Sequence, residues 1–283
     1  QFVYGSMREL ARREPTFALH VHVGVPDAET AIRVNDRMRV HLPLLLALSA
    51  NSPFWQGRDS GLASARTPLF QAFPRVGVPR AFGTYDVYAE TVDLLIRTEA
   101  VPESTFLWWD VRPQPALGTI EVRVMDAQTR CRDTAALVAL VQCLVKLEAE
   151  QGYASDLAIA SQEVISENRF LAARDGVDAS LIDPDLETRI PVPDLVADLL
   201  AICRPHAQEL GCEEELASVT DLIDDPRFKD GATRFQNRKE CVAELERVFA
   251  GRTLEEWRAA LDSVEGVWAP MQSARELASD PQA

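Results

Sequence analysis

Three short segments of this chain carry histidine, arginine and carboxylate side chains at a spacing of two. They are ALHVHVG (18–24), WWDVR (108–112) and TIEVR (119–123). On an extended strand, residues two apart share a face and lie roughly 6.5–7 Å from each other. If all three segments are strands of one sheet, His20 and His22, Asp110 and Arg112, and Glu121 and Arg123 open onto a common surface. Carboxylate and imidazole can hold a divalent metal. Guanidinium matches phosphate and carboxylate oxygens with a planar fork of donors. Such a set suits phosphoryl transfer to a carboxylate, where positioning and charge neutralisation do most of the catalysis. The plainer reading is cross-strand ion pairing on a solvent face, Glu121 with Arg112 for example.

The elements around these segments follow from local pattern. In TFALHVHVGV, Phe17, Leu19, Val21, Val23 and Val25 fall on one face, with Ala18, His20, His22 and Gly24 on the other. That is the signature of a half-buried strand. Met7 to Glu14 reads as the end of a helix stopped by Pro15, and Asp27 caps a long helix running to about Ala50. Residues 53–83 are rich in Gly, Pro, Arg and Ser and show no period, which predicts a long loop of the kind that tends to be functional. A helix is predicted from Tyr85 to about Arg97. The strands FLWWDVRP and GTIEVRVMD, linked by PQPALG, predict an antiparallel hairpin. From Asp133 onward helices dominate. The class is α+β.

With 283 residues the chain is one large domain or two modest ones, and its 47% hydrophobic content allows a sizeable core. A formal charge of -15 argues against nucleic acid or an anionic membrane as partner. Five scattered cysteines, Cys131, Cys143, Cys203, Cys212 and Cys241, lack a C-x-x-C pair and read as thiols of a reducing cytoplasm. The longest apolar stretch, near Leu42 to Ala50, is too short to span a bilayer. There is no P-loop and no G-x-G-x-x-G fingerprint, so a nucleotide would not sit on a glycine-rich helix entry. Gln1-Phe2-Val3-Tyr4 has no initiator Met and enters helix-like sequence at once, so the chain is expected to begin inside a longer protein.

Taken in order, ALHVHVG, ALSANSPFWQGRDSGLASARTPLF, WWDVRP, GTIEVRVMD, ENRFLAARDGVDASLIDP and RPHAQELGCEEELA resemble the carboxylate–amine ligase branch of the glutamate–cysteine ligases, type 2, within the glutamine synthetase superfamily. The resemblance covers about residues 1–217. It implies a glutamine synthetase-like antiparallel sheet with helices packed on one face. It also implies an acyl phosphate made from ATP and glutamate's γ-carboxylate, which an amine such as cysteine attacks, with ATP and Mg2+ as cofactors. By similarity His20 and Glu121 are metal ligands, and His22 and Arg112 lie at the phosphates. Arg123 and Arg66 bind substrate carboxylate or phosphate, and Asn51 and Arg58 shape the pocket. Asn168, Arg169 and Arg174 would close it from the helical side, unless they lie on a solvated helix face. Superfamily relatives often assemble, so a homo-oligomer is compatible with the resemblance.

The family opens with a strand bearing G-x-E-x-E, absent here, so the expected fold is N-terminally truncated with an incomplete metal cluster and an unpaired sheet edge. Gly211-Cys212-Glu213-Glu214-Glu215 imitates that motif but reads as an exposed helix turn. Residues from about Asp221 to Pro281 resemble the C-terminal part of family III CoA-transferases, giving an expected division into 1–217 and a mostly helical tail, 218–283. Capping boxes at Thr253 and Ser273, with Trp257 and Leu261 on one face, organise that tail. Three alternatives stay open: a metal-dependent hydrolase, for which only His41 and His206 remain as further imidazoles, an inactive fragment or chimera, and a CoA-transferase-related protein.

Overall fold

The computed structural model describes Met7, Leu10 and residues 17–56 and 58–223. All of them belong to the first of two units, Gln1–Arg234. Most of the helix expected at 7–14, together with Cys241 and the Thr253, Ser273 and Trp257–Leu261 features, lies outside the described residues.

Strand β1 (Val21–Gly24) keeps the predicted alternation, with Val21 buried and His20, His22 and Gly24 exposed. Phe17 departs from it at 66% exposure. Helix α1 (Ala28–Ser49) follows, and the Asp27 carboxylate accepts the Thr30 backbone N–H at 2.7 Å, satisfying one of the donors orphaned at a helix start. From His41 to Ser49 every residue is buried, so α1 is a central helix and not a surface one. Pro43 within it removes one helical donor.

Residues 53–83 are not a featureless loop. They contain the hairpin β2 (Phe54–Trp55) and β3 (Arg58–Asp59), then α2 (Arg66–Phe70) and β4 (Val76–Gly77). Periodicity cannot reveal elements of two to five residues, because none repeats its period often enough to stand out. Their backbone finds partners on other elements, the N–H groups of Ala63 and Ser64 donating to the carbonyls of Arg174 and Ala173 at 3.0 and 2.8 Å.

Helix α3 (Tyr85–Arg97) forms where predicted, with Thr84 as its cap. The FLWWDVRP strand is a correction: it splits into β5 (Trp108–Trp109) and β6 (Val111–Gln114). β5 pairs with β4 in parallel, while β6 pairs antiparallel with β7 (Thr119–Val122) as the hairpin reading required. Asp110 is where the chain changes partners. Its N–H donates to Gly77 at 2.9 Å and its carbonyl accepts from Arg123 at 2.7 Å.

The main sheet has the order β1-β7-β6, antiparallel throughout. Val21, Val111, Ile120 and Val122 form its buried face, packed against α1 and α4 (Cys131–Glu150). The chain then forms α5 (Asp156–Ala160), α6 (Gln162–Asp175), β8 (Ser180–Asp183), β9 (Thr188–Pro191), α7 (Val192–Leu210), α8 (Glu213–Ala217) and α9 (Thr220–Ile223). The β8–β9 hairpin interrupts the region expected to be helical. The Asp183 carboxylate accepts the N–H groups of Asp185 and Leu186 at 2.8 and 2.9 Å, a turn that Asp makes more readily than a helix. Gly211 takes the left-handed conformation that ends α7 (φ 69°), and the three glutamates after it are exposed on α8, so this stretch is a helix turn as expected. The class is α+β. No described helix is long and apolar enough to cross a membrane.

Candidate active site

The register of the sheet sets three polar side chains in one row, with His22 opposite Glu121 and Glu121 opposite Arg112. Glu121 occupies the central strand and is 2% exposed. Its Oε2 accepts from Arg112 Nε at 2.8 Å and from Gln114 Nε2 at 2.7 Å. Its Oε1 accepts from Arg123 Nη1 at 2.5 Å and lies 3.3 Å from His20 Nδ1 and 3.8 Å from His22 Nε2. Arg112 is held further by the carbonyls of Thr105 and Leu107, at 2.8 and 2.5 Å. His22 Nδ1 is within 3.0 Å of the Thr119 hydroxyl. Thus four of the six groups singled out in the sequence gather around the carboxylate of a fifth, Glu121. The sixth, Asp110, shares their face but pairs with Arg169 Nε at 2.6 Å.

One carboxylate facing two guanidinium groups leaves a local excess of positive charge, which favours an anion beside it. Burial works against the ionised Glu121, but hydrogen bonds from Arg112 and Gln114 and the charges of Arg123 and Arg112 outweigh it and bring its pKa down to about 2. Burial and then the Arg123 charge lower His20 to about 4, against the opposing pull of Glu121. Burial likewise lowers Arg123 and Arg66 from their usual values.

Both acid-side shifts act in one direction. The unfolded chain takes up a proton at His20 below about 6.5 and at Glu121 below about 4.5, whereas the folded chain resists until about 4 and about 2. Stability from these groups is complete above those unfolded values. It is expected to fall as pH drops, first through His20 between about 6.5 and 4, then through Glu121 between about 4.5 and 2. Urea midpoints measured from pH 7 to pH 3 should decline, and less steeply in His20→Asn below pH 6.5. An unchanged slope in that variant would remove His20 from the account.

A second cluster sits beside the first. Arg66, at the start of α2, donates Nη1 to the Val124 carbonyl at 3.0 Å and Nη2 to the Arg123 carbonyl at 3.1 Å, with Asp126 at 3.6 Å. Asp126 is 1% exposed and gathers the Asn51 N–H at 2.9 Å, the Ser52 hydroxyl at 2.7 Å and the Ser64 hydroxyl at 3.1 Å. Asn51, Ser52, Arg66 and Asp126 line an open cleft of about 390 Å³.

Asp126 was not singled out in the sequence, because Val124 and Met125 are both buried and the alternation slips there by one residue. The available signal was the acid closing GTIEVRVMD. Arg58 lies exposed on β3, opposite Trp55, and does not line the cleft. Of the helical trio, Arg169 reaches the sheet through Asp110. Asn168 clamps Ile182 of β8 through both backbone groups at 2.7 and 2.8 Å, and Arg174 pairs with its neighbour Asp175 at the surface.

His20 and Glu121 are the expected metal pair. Among the described residues no group of three or more His, Cys, Asp or Glu side chains is placed to hold an ion. Magnesium, however, is commonly bound by one or two carboxylates together with substrate phosphates and water. A carboxylate oxygen that accepts one hydrogen bond still has a lone pair to offer. Arg123 Nη1 bonds both candidate ligand atoms, Glu121 Oε1 at 2.5 Å and His20 Nδ1 at 3.3 Å, so an ion held by this pair would have to displace that guanidinium.

The antiparallel sheet thus carries a carboxylate–guanidinium cluster on the face opposite its helix-packed apolar side. The model of the family "glutamate-cysteine ligase family 2 (GCS2)" matches residues 4–265, past residue 217. The chain belongs to that family. It is 46% identical over 228 residues to a protein of Rubrobacter xylanophilus named, by inference, glutamate–cysteine ligase 2-1, covering 78% of this chain and 59% of the relative. It is 42% identical over 220 residues to a similarly named protein of Sorangium cellulosum, covering 77% and 58%. With a counterpart in Thermobifida fusca the identity is 38% over 220 residues, covering 77% and 55%. The matched region spans less than two thirds of the length of these relatives.

Proposed function

We propose that this chain carries part of an ATP-dependent carboxylate–amine ligase that joins glutamate's γ-carboxylate to an amine such as cysteine. The observation that carries the reading is the single row His22–Glu121–Arg112, with Arg123 and His20 converging on the same carboxylate. In the proposed reaction a γ-carboxylate oxygen attacks the terminal phosphorus of ATP and the bond to ADP breaks. The amine nitrogen then attacks the acyl carbon, inorganic phosphate leaves and the nitrogen loses a proton. Arg112 and Arg123 face the phosphoryl oxygens and offset the charge gathered on them. Glu121 fixes both guanidinium groups and with His20 offers ligands to Mg2+, which would screen the phosphates when bound. Arg66, tethered to the Arg123 carbonyl, orients substrate carboxylate or phosphate from the edge of the cleft.

In this proposal residues 1–217 are the ligase-like part. The acidic surface and scattered thiols support a cytoplasmic setting.

Mg-ATP is expected to raise the thermal midpoint of the full chain. A ligand at a hundred times its Kd stabilises by about 2.7 kcal/mol, and each kcal/mol moves the midpoint of a domain this size by about 2–4 °C. The rise should vanish in Glu121→Gln. No shift at millimolar Mg-ATP in the wild-type chain would end the nucleotide reading for this chain, and thioester exchange with a CoA donor is expected to be blank.

A further inference from the structure

Two acceptor atoms meet one cation at the centre of the sheet face, and that arrangement limits what else can enter. His20 Nδ1 lies 3.3 Å from Arg123 Nη1. An arginine nitrogen can only donate, so this ring nitrogen carries a lone pair and no proton. The lowered pKa of His20, about 4, agrees with a neutral ring. Glu121 Oε1 accepts from the same Nη1 at 2.5 Å and stands 3.3 Å from His20 Nδ1. Two unprotonated acceptors this close repel unless a cation joins them, and here the cation is a guanidinium. Imidazole nitrogen beside carboxylate oxygen is also a ligand pair for a divalent ion.

The two arginines of the cluster are held differently. Arg112 is fixed by Glu121 Oε2 and by the carbonyls of Thr105 and Leu107. Among the described residues the Arg123 guanidinium is held through Nη1 alone, and its Nε has no partner. The Arg123 peptide is clamped on both sides. Its N–H donates to the Asp110 carbonyl at 2.7 Å, and its carbonyl accepts from Arg66 Nη2 at 3.1 Å. The side chain can therefore swing while the strand stays in place. The His20 and His22 side chains are 37% and 36% exposed, so the cluster is approached from the β1 side.

We infer that Arg123 is the built-in counter-cation of this site, and that its guanidinium and a divalent metal ion are alternative partners of the Glu121 Oε1–His20 Nδ1 pair. The ion gains the pair when an oxyanion of the phosphate class draws Arg123 away. Metal alone binds weakly, and metal and oxyanion bind cooperatively. Two positive charges at such spacing repel strongly outside bulk water. A guanidinium that left Glu121 with no other anion to meet would be uncompensated in a partly buried site. An oxyanion removes that cost, because it matches the planar fork of guanidinium donors. The inference rests on the ligase reading only for taking that oxyanion to be a nucleotide phosphate. The exchange itself rests on the contacts of Arg123.

Mn2+ binding to the full chain, followed by the paramagnetic resonance signal of the free ion, tests it. Arg123→Met removes the charge, keeps the length and adds no hard ligand, and it leaves Glu121 its bonds from Arg112 and Gln114. It is expected to bind Mn2+ about tenfold or more tightly than the wild-type chain, a usual size for coupling between sites. Adding Glu121→Gln to that variant should abolish the gain. A second measurement needs no variant. Sulfate, compared with chloride at equal ionic strength and corrected for its own Mn2+ binding, should tighten Mn2+ binding to the wild-type chain by about fivefold or more. Equal Mn2+ affinity in wild type and Arg123→Met, or weaker binding with sulfate, would overturn the inference. A gain in Arg123→Met without any Mg-ATP shift in wild type would sink the ligase reading and keep the exchange. A Mg-ATP shift with no gain in Arg123→Met would do the reverse.

Discussion

Replacing Glu121 by alanine is expected to lower the unfolding free energy by about 3–5 kcal/mol, the cost of stranding buried charge after one partner of an ion pair is removed. Two guanidinium groups depend on this carboxylate. Arg112 is 7% exposed and donates to it at 2.8 Å, and Arg123 donates at 2.5 Å. Arg112 would retain its carbonyl partners at Thr105 and Leu107, so it stays in place but loses its counter-charge. Glu121→Gln keeps the shape and one acceptor oxygen, so it should cost less while still abolishing the response to Mg-ATP. Urea denaturation, read at constant slope, separates the two variants. A loss below about 1 kcal/mol for Glu121→Ala would mean that solvent already screens the cluster, as it does surface pairs.

The second large effect is expected at Asp126. Its carboxylate collects one backbone N–H and two hydroxyls and neighbours Arg66, all around a group 1% exposed. Asp126→Ala leaves those donors unsatisfied at once and is expected to cost about 3–5 kcal/mol. It should also loosen the junction between Ser52 and Ser64, since both hydroxyls converge on this acid. Amide exchange at Ser52 and Ala65, whose N–H groups bond across that junction, should accelerate. Asp126→Asn must turn an amide N–H toward donors and should fall between wild type and alanine. Unchanged exchange in Asp126→Ala would show that the backbone pairs alone hold the cleft wall.

Long periodic elements were legible because many residues vote for the same answer. The helix capped by Asp27 and the Thr84-capped helix formed where the pattern put them, and the strand read across TFALHVHVGV formed over its centre, Val21–Gly24. The PQPALG hairpin fixed which residues of β6 and β7 face each other, so Arg112 opposite Glu121 could be anticipated from spacing. Short elements were not legible. β2, β3, α2 and β4 exist because neighbouring segments satisfy their backbone, and no local repeat reports that. The hairpin at Asp183 was missed for a related reason. Its turn is made by one side chain bonding two backbone groups, a chemical signal with no periodicity.

The sequence by itself determined the types of group on each strand and the face they share, because alternation on a pleated chain is a local steric fact. Tertiary structure alone decided that β1 pairs with the far side of β7, which brings His22 to Glu121 across nearly a hundred residues of chain. It also decided that Asp110 turns to Arg169 and that Asp126 anchors the cleft. Those choices depend on long-range packing and on where buried donors find acceptors, and neither is encoded in the spacing of any one segment.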